Sequence, residues 1–164
     1  MKYLMIMLIS TTLLTACVQT TTTDETERFL MAELEQQDYE VINWAGTVTT
    51  FTLGRSFLLR EPNQLNWALQ DLPLSEFINK EVTSYRATVK GHYLDAVSKQ
   101  ADQTNLILYV VDGEWIGGLS IPDIDALGGG AHSINGETFE EVHDQPVSDW
   151  IEAFEIELDE LTDF

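Results

Sequence analysis

Apolar side chains recur along the chain at two spacings, one typical of amphipathic helices and one typical of strands. Residues 25–37 carry apolar positions three and four apart, with Asp24 placed as N-cap and Glu27 completing a capping box. A second helical pattern near the end follows Ser148, its expected N-cap. The buried stripes predicted for the two helices are Phe29, Leu30 and Leu34 in the first, and Ile151, Phe154, Leu158 and Leu161 in the last.

Between these helices the pattern changes to the alternation and β-branched enrichment that favour strands. The apolar run at 106–111 fits a strand buried on both faces, and Asp112 and Gly113 after it are a strong type I′ hairpin signal. Gly46 is expected to separate the first two strands. The predicted strands are residues 39–44, 47–53, 82–90, 106–111, 114–121 and 131–134.

The remaining segments predict shorter elements. We expect a short helix within residues 63–72 with Asn63 as its cap, a helical turn at 75–80 and a helix over 94–103. A helix first, strands in the middle and a helix last indicate an α+β fold. The prediction is a mostly antiparallel sheet with N-terminal and C-terminal helices packed on it.

The N-terminal segment has the pattern of a signal peptide. Lys2 supplies the positive charge, and a short apolar run follows it up to Leu14. This run is too short to span a bilayer, which takes about 20 apolar residues. We therefore expect residues 1–16 to be a signal peptide that is removed.

The motif Leu14-Thr15-Ala16-Cys17 resembles the lipobox of bacterial lipoproteins. The resemblance implies that Cys17 receives a diacylglyceryl group and becomes the N-terminus. Because Cys17 is the only cysteine, it has no partner in the chain for a disulfide. The alternative is an ordinary secreted protein with a chance cysteine. The predicted organisation is a signal peptide (1–16), a flexible tether (17–24) and one globular domain (25–164), lipid-anchored at the extracytoplasmic face of the cell membrane.

The charge of the chain restricts its partners. Eight lysines and arginines stand against 28 aspartates and glutamates, giving a net charge of −20. Such a chain repels nucleic acid and anionic headgroups, so acyl chains on Cys17 would have to supply the membrane attachment. The acidic surface is explained by solubility, by a cation-rich environment that screens it, or by a cationic partner.

Two segments resemble small uncharacterised lipoproteins of Gram-positive bacteria. They are LYVVDGEWIGG at residues 108–118 and GGAHSINGET at residues 129–138. The resemblance implies no activity and transfers no functional residue.

Three histidines are available for chemistry, and His143 has the most acidic surroundings. Together with Glu140 and Asp144 it would suit zinc or manganese. The spacing matches no zinc motif, so a solvated acidic turn is the favoured interpretation. We predict no metal and no cofactor, with these three residues as weak candidates.

The other candidate motifs are incomplete. Asp123 and Asp125 lack the further ligands of a calcium loop, and Ser133 after the glycines at 128–130 lacks a nucleophile elbow. Trp115, beside Gly117, would form the floor of a shallow peptide or glycan groove if it points outward, or would cover the sheet if it does not.

The predicted function is a non-catalytic binding module of unknown ligand, held at the membrane through Cys17. An enzyme is the less favoured class. The first alternative is an envelope-directed hydrolase that uses acidic residues with His132 or His143, and it requires these groups to converge in one pocket. The second is an inhibitor or immunity-type lipoprotein whose acidic face blocks a basic partner.

Overall fold

The structure is a computed structural model that describes residues 21–97, 102–122 and 130–162, with side chains from residue 25 onward. It is an α+β fold, as predicted, with one five-stranded antiparallel sheet. The strands are β1 (Glu40–Thr52), β2 (Glu81–Lys90), β3 (Thr104–Val111), β4 (Glu114–Pro122) and β5 (His132–Ser133). The α-helices are α1 (Thr21–Gln36), α2 (Arg55–Leu58), α3 (Asn63–Ala68), α4 (Leu74–Phe77), α5 (Phe139–Val142) and α6 (Val147–Thr162). Within the described ranges, no helix has the length and apolar character needed to cross a membrane.

The sheet is a meander in which each strand pairs with its neighbour in sequence, in the order β1-β2-β3-β4-β5. The predicted hairpin joins β3 and β4, and Asp112 and Gly113 have φ angles of 53° and 85°. A type I′ turn requires positive φ at both positions, so the turn prediction is confirmed. Behind the turn, a Cβ on Gly118 would lie 2.0 Å from the carbonyl oxygen of Ile107, so the β3–β4 pairing requires glycine there.

Strand β1 corrects one prediction. Residues 39–44 and 47–53 were expected to be separate strands, but they form one continuous strand that pairs with β2 along its length. Three register shifts interrupt the pairing, and Gly46 lies in the middle one with a φ of 73°. A bulge accommodates an extra residue without ending the ladder, so Gly46 bends the strand and does not break it.

One face of the sheet is covered by α1. Leu30 and Leu34 are fully buried, and they share an aliphatic cluster with strand residues such as Leu106 and Leu108. Phe29 was predicted to belong to this buried stripe, but 45% of it is exposed. Residues at i and i+4 lie on one side of a helix, and Phe29 is turned about 100° away from Leu30. We call this side the aliphatic face.

Helix α1 begins earlier than expected. Its first residue is Thr21, so Asp24 lies inside the helix and its predicted role as N-cap was wrong. The last residues of the stretch assigned to the tether therefore have helical backbone. Cys17 and the whole predicted signal peptide lie outside the described residues.

The opposite face of the sheet is covered by the three short helices α2–α4 and by α6. Aromatic rings such as Phe51, Tyr109 and Trp150 pack against its buried cluster, and we call this side the aromatic face. Phe154 and Leu158 of α6 are buried as predicted, while Ile151 and Leu161 are half-buried. The members of the buried cluster are Leu53, Leu58, Trp67, Leu74, Val82, Val111, Phe154 and Leu158.

Two predicted caps and one helix are corrected. The N-cap position of α3 is Pro62, and the Asn63 amide donates to the carbonyl of Phe57 at 3.0 Å. Ser148 lies in the first turn of α6, where its hydroxyl donates to Asp149 at 2.9 Å. Within the described residues, the helix predicted over 94–103 is represented by a 3₁₀ turn at Tyr93–Ala96, residues 102 and 103 are not helical, and residues 98–101 lie outside the described part.

Candidate binding groove

Three neighbouring depressions lie where the short helices of the aromatic face meet α5, α6 and the edge of β4. Their volumes are about 370, 320 and 210 Å³. The first and second share Asp71, and the second and third share Glu137 and Glu141. We call the three together the acidic groove, because each depression contains at least two carboxylates.

The first depression combines apolar walls with two acids. Trp150 and Phe154 of α6 lie on one side, stacked on each other with ring centroids 4.6 Å apart. Leu72 and Pro73 lie on the other side, in the connection between α3 and α4. The carboxylates of Asp71 and Glu157 complete the lining.

Within the described part of the chain, these two carboxylates have no cationic partner. Asp71 and Glu157 are both exposed, and neither forms an ion pair with another described residue. Asp71 has a φ of 49°, in the left-handed region that aspartate and asparagine tolerate better than most residues. Its backbone N–H donates to the carbonyl of Ala68 at the end of α3, and the residue lies where the first two depressions meet.

His143 holds the two sides of the first depression together. Its Nε2 lies 2.8 Å from the carbonyl oxygen of Ala68 at the end of α3. A carbonyl oxygen only accepts, so Nε2 carries the proton and donates. The imidazole also packs against the rings of Phe139 at 4.7 Å and Trp150 at 5.5 Å. Its observed role is to tie the segment after α5 to α3.

The second and third depressions are more polar. Glu137 accepts a hydrogen bond from the hydroxyl of Ser133 at 2.9 Å, and Glu141 accepts one from the backbone N–H of Thr138 at 2.8 Å. Each of these carboxylates has two oxygens, so acceptor capacity remains on both. Tyr93, 77% exposed, lines the far end of the groove.

The proposed metal residues are not arranged as a metal centre in the described structure. His143 uses Nε2 for the Ala68 carbonyl, and Glu140 and Asp144 are exposed. Within residues 21–97, 102–122 and 130–162, no group of three histidine, cysteine, aspartate or glutamate side chains is placed to hold a metal ion. The Asp123 and Asp125 pair lies outside these ranges.

Of the two histidines proposed for a hydrolase, His143 shares the first depression with Asp71 and Glu157. Its Nε2 is hydrogen-bonded to the Ala68 carbonyl. Ser133 accepts from the backbone N–H of Glu137 at 3.1 Å and donates to the carboxylate of the same residue, which closes the turn after β5. The Nε2 of His92 lies 3.0 Å from the carbonyl oxygen of Ile134. His132 lines none of the three depressions, and its buried Nδ1 has no hydrogen-bond partner among the described residues.

Trp115, the predicted binding candidate, is half-buried and packs against the aliphatic cluster. Its indole N–H donates to the carbonyl of Gly117 at 2.7 Å. It covers the sheet, the second of the two arrangements considered from the sequence. Ile116 and Gly117 line the second depression instead.

The sequence reasoning missed Asp71, Trp150 and Glu157 as site residues. Asp71 and Glu157 are separated by more than half of the chain, so no local motif links them. The positive φ of Asp71 is visible only in the structure, because an aspartate after a short helix is ordinary in a sequence.

One titrating side chain beneath the aromatic face is strongly affected by its surroundings. Burial raises the pKa of Tyr109 to about 12, because the phenolate would have to form among apolar rings. On the aliphatic side, burial and the carboxylate of Asp95 both raise the pKa of Tyr39.

Comparison with known proteins gives no match: no family model fits the sequence, and no curated protein or solved structure is significantly similar to it.

Proposed function

We propose that the protein is a lipid-anchored binding module that acts at the extracytoplasmic face of a cell membrane without catalysing a reaction. The observation that carries this proposal is the lipobox-like motif Leu14-Thr15-Ala16-Cys17 at the end of a short apolar run. The motif explains why the chain contains a single cysteine. Two or more acyl chains at that position give stable attachment without a spanning helix.

The acidic groove supports the binding part of the proposal. It is formed by several elements and offers a concave surface lined by both apolar side chains and carboxylates. The hydrolase alternative is less well supported. His143 lines the first depression beside Asp71 and Glu157, as this alternative requires, but its Nε2 is hydrogen-bonded to the Ala68 carbonyl. His132 lines none of the three depressions.

The anchor is tested by metabolic labelling in bacteria with an alkyne fatty acid, followed by intact mass measurement. The wild type is expected to incorporate the label and to lose residues 1–16. Cys17→Ser is expected to do neither. A matched control is the double variant Cys17→Ser/Gln19→Cys, which keeps one thiol but moves it by two positions. Label on the wild type alone supports the anchor, while an unlabelled wild type, or equal label on the displaced thiol, contradicts it.

The inhibitor or immunity-type alternative is favoured by one specific observation. With 28 acidic and eight basic residues, most carboxylates have no lysine or arginine to pair with inside the chain. An acidic surface of this kind associates rapidly with basic proteins. Salt-sensitive capture of a basic protein by the membrane-anchored form would support this function.

A further inference from the structure

We propose that the acidic groove binds an extended lysine- or arginine-rich segment of a partner protein, with one cationic side chain held in the first depression between Asp71 and Glu157. This inference rests on the proposed binding function and names its ligand class. Three features of the groove carry it: its charge, its apolar walls and its length.

The charge of the groove is one-sided. Asp71, Glu137, Glu141 and Glu157 supply four carboxylates, and none of the described residues that line the three depressions is a lysine or an arginine. Their negative charge attracts a cationic ligand and repels an anionic one.

The walls of the first depression select an amphipathic cation. Trp150, Leu72 and Pro73 offer apolar surface beside the two acids. Lysine and arginine side chains have an apolar stem and a charged end, so the stem packs on such walls while the charge reaches a carboxylate. Contact between the cation and an indole adds to this attraction. A small metal ion gains nothing from apolar walls.

The length of the groove favours a chain segment over a single amine. The acids are distributed over all three depressions, and the groove continues from Trp150 to the exposed ring of Tyr93. A free amine fills one depression only. A segment with several cationic side chains occupies successive depressions, and its linked contacts gain affinity from their effective concentration.

The whole surface is acidic, so the test must separate the groove from general charge. The probe is fluorescein-labelled hexalysine, and its binding to the full chain in non-ionic detergent is followed by fluorescence anisotropy. The groove variant is Asp71→Asn/Glu157→Gln. The matched control is Glu35→Gln/Glu155→Gln, which removes the same charge from α1 and from the exposed side of α6. All four positions are exposed, so both variants are expected to fold normally.

We expect the groove variant to bind hexalysine about tenfold more weakly than wild type, and the control variant less than about threefold more weakly. Trp150→Phe keeps a ring but removes the indole, and it is expected to weaken binding about threefold. Equal losses in the groove and control variants would overturn the proposal, as would wild-type binding of fully acetylated hexalysine with the same affinity.

The binding assay and the labelling assay fail independently. Hexalysine binding by a chain that incorporates no fatty acid contradicts the anchor and supports the ligand class. Fatty-acid labelling of a chain that fails to bind hexalysine supports the anchor and overturns the ligand class.

Discussion

On one face of the sheet a single long helix, α1, places Leu30 and Leu34 on aliphatic strand residues, and both leucines are fully buried. On the other face, three short helices and α6 bring together rings such as Trp67 and Phe154. Aliphatic side chains from one continuous helix interdigitate closely with those of the sheet. Aromatic side chains from several short helices pack less continuously, and depressions remain where the helices end and their connecting segments meet. The acidic groove lies at those junctions, so we expect the irregular layer to carry the proposed binding surface and the regular layer to carry much of the stability.

The largest expected effect is a difference between equivalent leucines on the two faces. Leu34→Ala should lower the free energy of unfolding by about 4 kcal/mol, and Leu158→Ala by about 2.5 kcal/mol. Both side chains are fully buried. The short helices around Leu158 can move into the cavity that the substitution leaves more readily than α1 and the sheet can close the cavity at Leu34. Urea unfolding measures both values. An equal or larger loss in Leu158→Ala would contradict the comparison.

The second effect concerns the sheet that supports both layers. Gly118→Ala should lower the free energy of unfolding by about 3 kcal/mol, because the new methyl group would meet the Ile107 backbone oxygen. Gly130→Ala is the matched control, since among the described residues no heavy atom beyond its chain neighbours lies within 4 Å of its added Cβ. Thermal unfolding of the two variants should therefore differ clearly. Similar melting temperatures would show that β3 and β4 separate at little cost.

The third effect is a pH dependence of the free energy of unfolding, caused by a tyrosine buried beneath the aromatic face. The folded pKa of Tyr109 is about 12, above its ordinary value of 10, so the phenol is neutral in both states below pH 10. Between pH 10 and 12 the unfolded chain loses the proton and the folded chain keeps it. The free energy of unfolding therefore falls as pH rises through this window, by up to about 3 kcal/mol.

Urea unfolding at a series of alkaline pH values measures this slope. Tyr109→Phe should flatten it, while Tyr93→Phe, at an exposed ring, should leave it as in wild type. The raised pKa of Tyr39 contributes in the same direction and leaves a residual slope. An unchanged slope in Tyr109→Phe would contradict the burial of this phenol beneath the aromatic face.

The smallest effect concerns a surface ion pair that links two elements of the irregular layer. Arg55 of α2 and Asp159 of α6 are 2.6 Å apart, with about half of each side chain exposed. Arg55→Ala should cost less than about 1 kcal/mol, because solvent screens exposed pairs. The difference from wild type should shrink at high salt. A larger cost that does not depend on salt would show that Arg55 acts through packing.

The regular parts of the fold could be predicted from the sequence because their signals are local. Leu30 and Leu34 follow the helical period, and Asp112-Gly113 has the composition of its turn. Strand β1 could not be predicted as one element. Gly46 has the same local signal whether it ends a strand or sits in a bulge, and only pairing with β2 distinguishes the two.

The groove could not be predicted because tertiary contacts create it. His143 was a candidate from the sequence, but its hydrogen-bond partner is the backbone carbonyl of Ala68. Any residue can offer a backbone carbonyl, so such a partner cannot be recognised from the spacing of side chains. Trp115 and Trp150 are both tryptophans near polar residues, and only the sheet and helix geometry places Trp150 in the groove and Trp115 against the aliphatic cluster.

The most direct test of the binding surface uses the tryptophans as internal reporters. In a ¹H–¹⁵N NMR titration of the full chain with hexalysine, the indole signals of Trp150 and Trp67 report on the first depression. The indole of Trp44 reports on the aliphatic face. We expect the Trp150 and Trp67 signals to shift saturably while the Trp44 signal stays in place. Equal shifts of all three, or a shift of Trp44 alone, would contradict binding in the acidic groove.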